Sequence, residues 1–204
     1  MIFLSKHRFF WVLTCFGVFV AFGCQRPGSQ NIPKLEAALE EIQHGLELLG
    51  AVNLDSIDQV NSRISEKFKD VDWLTADTTL VFSVDDAMIL GDWANARRLM
   101  KPGSNRIQDL QSEGEVCQTQ ISSLRKAIHQ GATLDGKGEP MDEAYFNAQS
   151  NRELSIAQAW TEQTKETLDR LSRGLAFEAG ARPSVDSLIR AKRAEWAQQI
   201  AATQ

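Results

Sequence analysis

Cysteine is scarce: three stand in 204 residues, at positions 15, 24 and 117. That excludes a disulfide framework as the source of stability. Beyond Cys24 no apolar stretch approaches the ~20 residues needed to cross a bilayer. A basic excess is also missing. The whole chain carries 22 Lys and Arg against 27 Asp and Glu, a formal charge of -5. A nucleic-acid binder needs the opposite sign to displace counterions, so no nucleic-acid partner is expected. Strand-like runs are almost absent. The one candidate, Thr78–Val84 (TTLVFSV), has no second run to pair with, and a strand's backbone groups must be paired. Nucleophile elbow, phosphate loop, dinucleotide fingerprint and zinc spacing are all lacking. An enzyme and a bound cofactor are therefore not expected.

What is present begins at the N-terminus. Lys6, His7 and Arg8 precede an uncharged run from Phe9 to Cys24, followed by the polar stretch GCQRPGSQNIP. A positive n-region, a short apolar run and small residues at Ala21 and Gly23 have the form of an export signal cut before Cys24. Gly23-Cys24, with Ala21 and Phe22 before them, resembles the lipobox of bacterial lipoproteins. That resemblance implies a diacylglycerol thioether on Cys24, N-terminal palmitate-type acylation and a membrane-anchored protein facing the periplasm. Gln25, rather than Asp, after the cysteine points in the same resemblance to the outer membrane. An uncleaved anchor and a plain secreted form are the alternatives. Residues 1–23 are thus read as signal peptide, 24–32 as tether and 33–204 as one helical domain. The 181 residues left after cleavage suffice for a single core, with 20 basic and 27 acidic side chains.

The pattern after Pro33 is helical. Leu35, Leu39, Ile42, Leu46 and Leu49 step by four and three down one face, with Asn31 as expected cap and Gly50 as stop. Ile57, Val60, Ile64, Phe68 and Val71 repeat the pattern from a start near Asp55, with a break expected around Trp73. Asp77 is read as the cap of a third helix running to about Met100, ended by Lys101-Pro102-Gly103. From a cap at Ser104, Ile107, Leu110, Gly114, Cys117, Ile121, Leu124 and Ile128 form a heptad seam in which Gly114 is the weak point. A loop over Thr133–Pro140 leads to a second seam, Leu154, Ala157, Thr161, Thr164, Leu168, Leu171 and Leu175. Its Ala and Thr middle needs filling by a larger neighbour such as Trp160. Two seams joined by a short loop run antiparallel. The expected fold is all-α, a long antiparallel coiled-coil-like hairpin within a helical bundle.

Near the C-terminus Gly180 reads as a stop, Arg182-Pro183 as a turn and Ser184 as a cap. Val185, Leu188, Lys192, Trp196 and Ile200 share the last helix's face, with the Lys192 amine in water. Phe177, Gly180, Asp186 and Leu188 in this stretch resemble the helix–turn–helix segment of TolC-like outer-membrane efflux proteins. The resemblance implies a periplasmic helical hairpin.

Candidate chemistry is thin. Glu41 and His44 have the Glu-x-x-His spacing of di-iron bundles, but three before His129 stands Lys126, so a second pair is missing. Asp135, Glu139, Asp142 and Glu143 cluster by glycines, yet the calcium-loop pattern fails at Pro140. Asp85 and Asp86 point about 100° apart on a helix. Cys117 reads as an inert buried thiol. Trp73, Trp93, Trp160 and Trp196 read as core or interface anchors, and Arg97-Arg98 and Arg190-Lys192-Arg193 as solvated clusters. Cys24 as lipid attachment point is the one site residue; no metal or catalytic residue is assigned. The expected role is a non-enzymatic interaction, scaffold or adaptor component of the cell envelope, contacting the membrane through lipid and a protein partner or itself through helices. The alternative is a ligand- or metal-sensing bundle.

Overall fold

The computed structural model describes residues 26–203; Cys24 and the expected signal lie outside them. After a 3-10 turn at Ser29–Asn31 come five helices: α1 (Ile32–Gly50), α2 (Leu54–Thr75), α3 (Val84–Met100), α4 (Gly103–Gln130) and α5 (Glu143–Thr203). No β-strand occurs among them; an isolated bridge joins Leu134 and Pro140. The fold is all-α, as the apolar periodicity requires.

Their arrangement follows from which residues meet. Along α5, Asn31 reaches Asn147, Gly45 meets Trp160, Arg63 pairs with Glu178, Lys67 with Asp186 and Asp70 with Arg193. Both numbers rise together, so α1 and α2 lie end to end and parallel to α5. In the opposite sense, Phe82 lies by Lys192, Met100 by Gly174, Leu110 by Trp160 and Arg106 by Gln163. Helices α3 and α4 therefore also lie end to end, antiparallel to α5. The bundle is a rod three helices thick, with two broken members and one unbroken spine. At ~1.5 Å per residue the 61 residues of α5 span roughly 90 Å.

The seam of α4 is buried as the heptads predict, from Ile107 to Ile128. Gly114 is its tightest point. A Cβ there would come within 2.5 Å of the Trp160 ring and 2.8 Å of Leu46, and one on Gly45 within 2.7 Å of the same ring. Trp160 thus wedges between α1 and α4, and its indole N–H donates to the Leu110 carbonyl at 2.8 Å. It fills the seam where Thr161 and Thr164 are too small; both threonines are buried.

Several local expectations give way. Asn31 stands at the N-cap of α1 but its side chain makes no cap bond; its amide donates to Asn147 instead. Asn53, not Asp55, caps α2 by accepting from the Ser56 amide, and α2 runs through Trp73 to Thr75. Ser104 is already inside α4, where its hydroxyl donates to Asp58. Asp77 does not cap α3, which starts at Val84 behind a capping box made by Ser83 and Asp86. Residues 76–83 cross the rod's end without pairing as a strand. Leu80 is buried there.

The largest correction concerns Gly180 to Ser184. No turn forms; α5 runs straight through Pro183. Proline removes the donor to the Ala179 carbonyl. Both residues are exposed, so that carbonyl faces water. Around them Glu178, Val185, Leu188 and Ile189 are buried against α2 and α3. Packing on the inner face holds what local propensity would release, and the helix–turn–helix shape behind the efflux-protein resemblance is absent.

Gly114→Ala is expected to destabilise the rod by about 1–3 kcal/mol through overpacking against Trp160, and Trp160→Ala by about 3–5 kcal/mol through the cavity it leaves. Urea unfolding with unchanged m-value reads both. A loss below ~0.5 kcal/mol for Trp160→Ala would mean the wedge carries no weight.

Candidate functional site

The residues singled out for chemistry do not converge. Glu41 and His44 are both exposed but open on different sides of α1: Glu41 lines a groove with Lys34 and Lys165, His44 one with Gln118 and Arg125. Residues three apart lie about 60° apart on a helix, so the two side chains are neighbours, yet each borders a different groove beside the core face that carries Ile42 and Gly45. Among the described residues no group of three His, Cys, Asp or Glu is placed to hold a metal ion. The His129 carbonyl accepts from Arg26.

The acidic loop is structural. Asp135 accepts from the Glu139 and Lys137 amides, which holds its carboxyl below the usual range. Asp142 accepts from the Tyr145 amide at 2.8 Å and so opens α5. Glu143 receives the Gly28 amide at 2.7 Å and the Gln30 side chain at 2.6 Å. The stretch read as a tether is therefore fastened to the body from Arg26 onward, because its amides and side chains find acceptors at the end of α4 and the start of α5.

Asp86 belongs to the α3 capping box while Asp85 is exposed, so the two carboxylates do not share a site. Cys117 is buried at the α4–α5 seam, and burial first, then Glu153 and Glu113, push its thiol pKa up. It is a poor nucleophile there. Trp93 is fully buried in the core. Arg97 lies over the Phe68 ring at 4.4 Å, and Arg193 bonds Asp70 at 2.7 Å. The Lys192 amine is not left in water: it donates to the Val81 carbonyl and, at 3.0 Å, to Glu195. The bond to Val81 ties residues 76–83 onto α5.

Two features stand out on the half of the rod away from the α4–α5 loop. Trp73 and Trp196 meet edge to face at 4.9 Å, and the Trp196 indole donates to Asp77 at 2.9 Å. Farther back along α5 runs a groove of about 370 Å³ between α3 and α5, lined by Ile89, Ala181 and Phe177 together with Asp92 and Arg173. Gly180 leaves its floor open, with no atom within 4 Å of where a Cβ would stand. Val84 and Met88 on α3 are 79% and 68% exposed. An apolar strip with charged neighbours is suited to another protein surface rather than to bond chemistry. Neither groove nor strip was foreseen; the signal available was Val84 and Met88, four apart within one helix.

No family model matches the chain, and no curated protein or solved structure matches it either.

The Thr79 hydroxyl and amide, then the Trp196 indole, lower the Asp77 pKa from its ordinary 3.8. A depressed folded pKa contributes stability above the unfolded value and loses it as pH falls through the folded one. The Trp73–Trp196 end is therefore expected to loosen below about pH 3.8, read as a change in tryptophan fluorescence that Asp77→Asn shows already at neutral pH. A flat acid titration in both proteins would contradict this role.

Proposed function

We propose that this chain is an exported, lipid-anchored, non-enzymatic scaffold of the cell envelope, held by Cys24 at the periplasmic face of the outer membrane and binding a protein partner along the α3–α5 strip. The observation that carries the reading is the separation of two ends. The chain's first described residues sit at the α4–α5 loop, whereas the exposed apolar strip lies on the far half of a rod about 90 Å long. Such a body holds a binding face away from the point of attachment. No helix among the described residues is long and apolar enough to cross a membrane, which suits attachment by lipid. The ligand-sensing alternative needs His44 and several carboxylates to close on one ligand; His44 shares its open groove with Glu36, Glu40 and Glu47, but among the described residues no three such side chains are placed to hold a metal ion.

Metabolic labelling with a clickable fatty acid should mark the native chain and leave Cys24→Ser unmarked; equal marking of both would remove the anchor. A photo-crosslinking residue at Met88 should capture a discrete protein in intact cells, and one at the exposed Gln120 of α4 should not. No product from Met88, or the same products from both positions, would count against the strip.

A further inference from the structure

From Arg26 onward the N-terminal segment is built into one end of the rod. Arg26 donates to the His129 carbonyl at the end of α4. The Gly28 amide takes one oxygen of Glu143 and the Gln30 side chain the other, while Asn31 bonds Asn147 at 2.8 Å. Gly28 has φ 78° and lies so close to Phe146 that a Cβ would fall within 2.6 Å of it. Both the left-handed backbone and the contact call for glycine. Between Cys24 and this clasp stands Gln25 alone, and two residues extend at most about 7 Å. A lipid on Cys24 therefore holds the α4–α5 loop close to the bilayer.

That loop is ordered and carries an apolar tip. The Asp135 amide donates to the Glu139 carbonyl at 2.9 Å and the Met141 amide to the Thr133 carbonyl at 2.8 Å, with Leu134 bridged to Pro140. Leu134 is nevertheless 60% exposed, beside an exposed Lys137. Asp135, Glu139, Asp142 and Glu143 outnumber Lys137 and Arg26 there, but Asp135 accepts from loop amides, Asp142 from the first turn of α5 and Glu143 from the clasp. Resting on the reading that Cys24 is acylated, we propose that this end of the rod is a bilayer-contact surface, with Leu134 at the acyl boundary and Lys137 among the headgroups. The clasp converts a lipid tether into a fixed orientation, in which α5 leads away from the membrane. The contact is apolar and does not depend on anionic lipid.

The test uses the full acylated chain in phosphatidylcholine vesicles, with a fluorophore on Gly136→Cys or, far along α5, on Ala179→Cys; Cys117 is buried. Lipids spin-labelled on the headgroup should quench the first label roughly fivefold more than the second, and Leu134→Glu or Gly28→Val/Glu143→Gln should shrink that ratio below about two, given the short reach of an interfacial contact. Leu134→Glu sits on an exposed side chain, so it tests the contact without touching the core. Equal quenching at both positions, an unchanged ratio in both variants, or a requirement for phosphatidylglycerol would overturn the proposal. Failure of the lipid reading shows separately, as a chain without fatty acid by mass spectrometry.

Discussion

The rod depends on Trp160. Projecting from the unbroken helix α5, its indole occupies the space that Gly45 leaves on α1 and Gly114 leaves on α4. Three helices are thereby fixed at one level by one side chain. The indole N–H closes on the Leu110 carbonyl, whose second lone pair remains free after its own helix is satisfied. A large aromatic facing two glycines permits close approach of all three backbones, and the aliphatic seams on either side then interlock. Above this level Met100 packs on Gly174 and Arg63 pairs with the buried Glu178. These contacts carry α5 past the junctions where α1 gives way to α2 and α3 to α4.

Periodic features were legible before any coordinates. The α4 seam from Ile107 to Ile128 is buried residue for residue, because a heptad read over three repeats leaves one face to bury. What escaped sequence reading had its cause on another helix. Gly114 looked like a gap since the ring that fills it comes 46 positions later. Gly180 and Pro183 looked like a turn because local rules describe an isolated helix, whereas here both residues face water and the opposite side is packed. Asp77 was read as the cap of α3 from its type alone, whereas the reciprocal bond between Ser83 and Asp86 sets where the helix starts. Glu41 and His44 have the spacing of a ligand pair, but that spacing does not reveal which grooves neighbouring helices create. The α3–α5 strip was hidden for the same reason: it is defined by what α5 leaves uncovered.

A rod with unlike ends suggests a division of labour. One end is closed by an ordered loop and the clasped N-terminal segment. The other carries two tryptophans packed edge to face, and residues 76–83 strapped down by Lys192. Between them α5 transmits position rather than chemistry, since Glu178, Asp186, Lys192 and Arg193 along it are held in ion pairs. Cys117, the one cysteine among the described residues, is buried in the seam.

Everything above requires α5 to be one continuous spine. X-ray scattering from residues 25–204 in solution measures this directly. A rod about 90 Å long gives a radius of gyration of roughly 27 Å, whereas a compact domain of this length gives about 16 Å. A value near 27 Å is the result this account predicts. A value near 16 Å, as when the chain folds back at Gly180–Pro183, would contradict it.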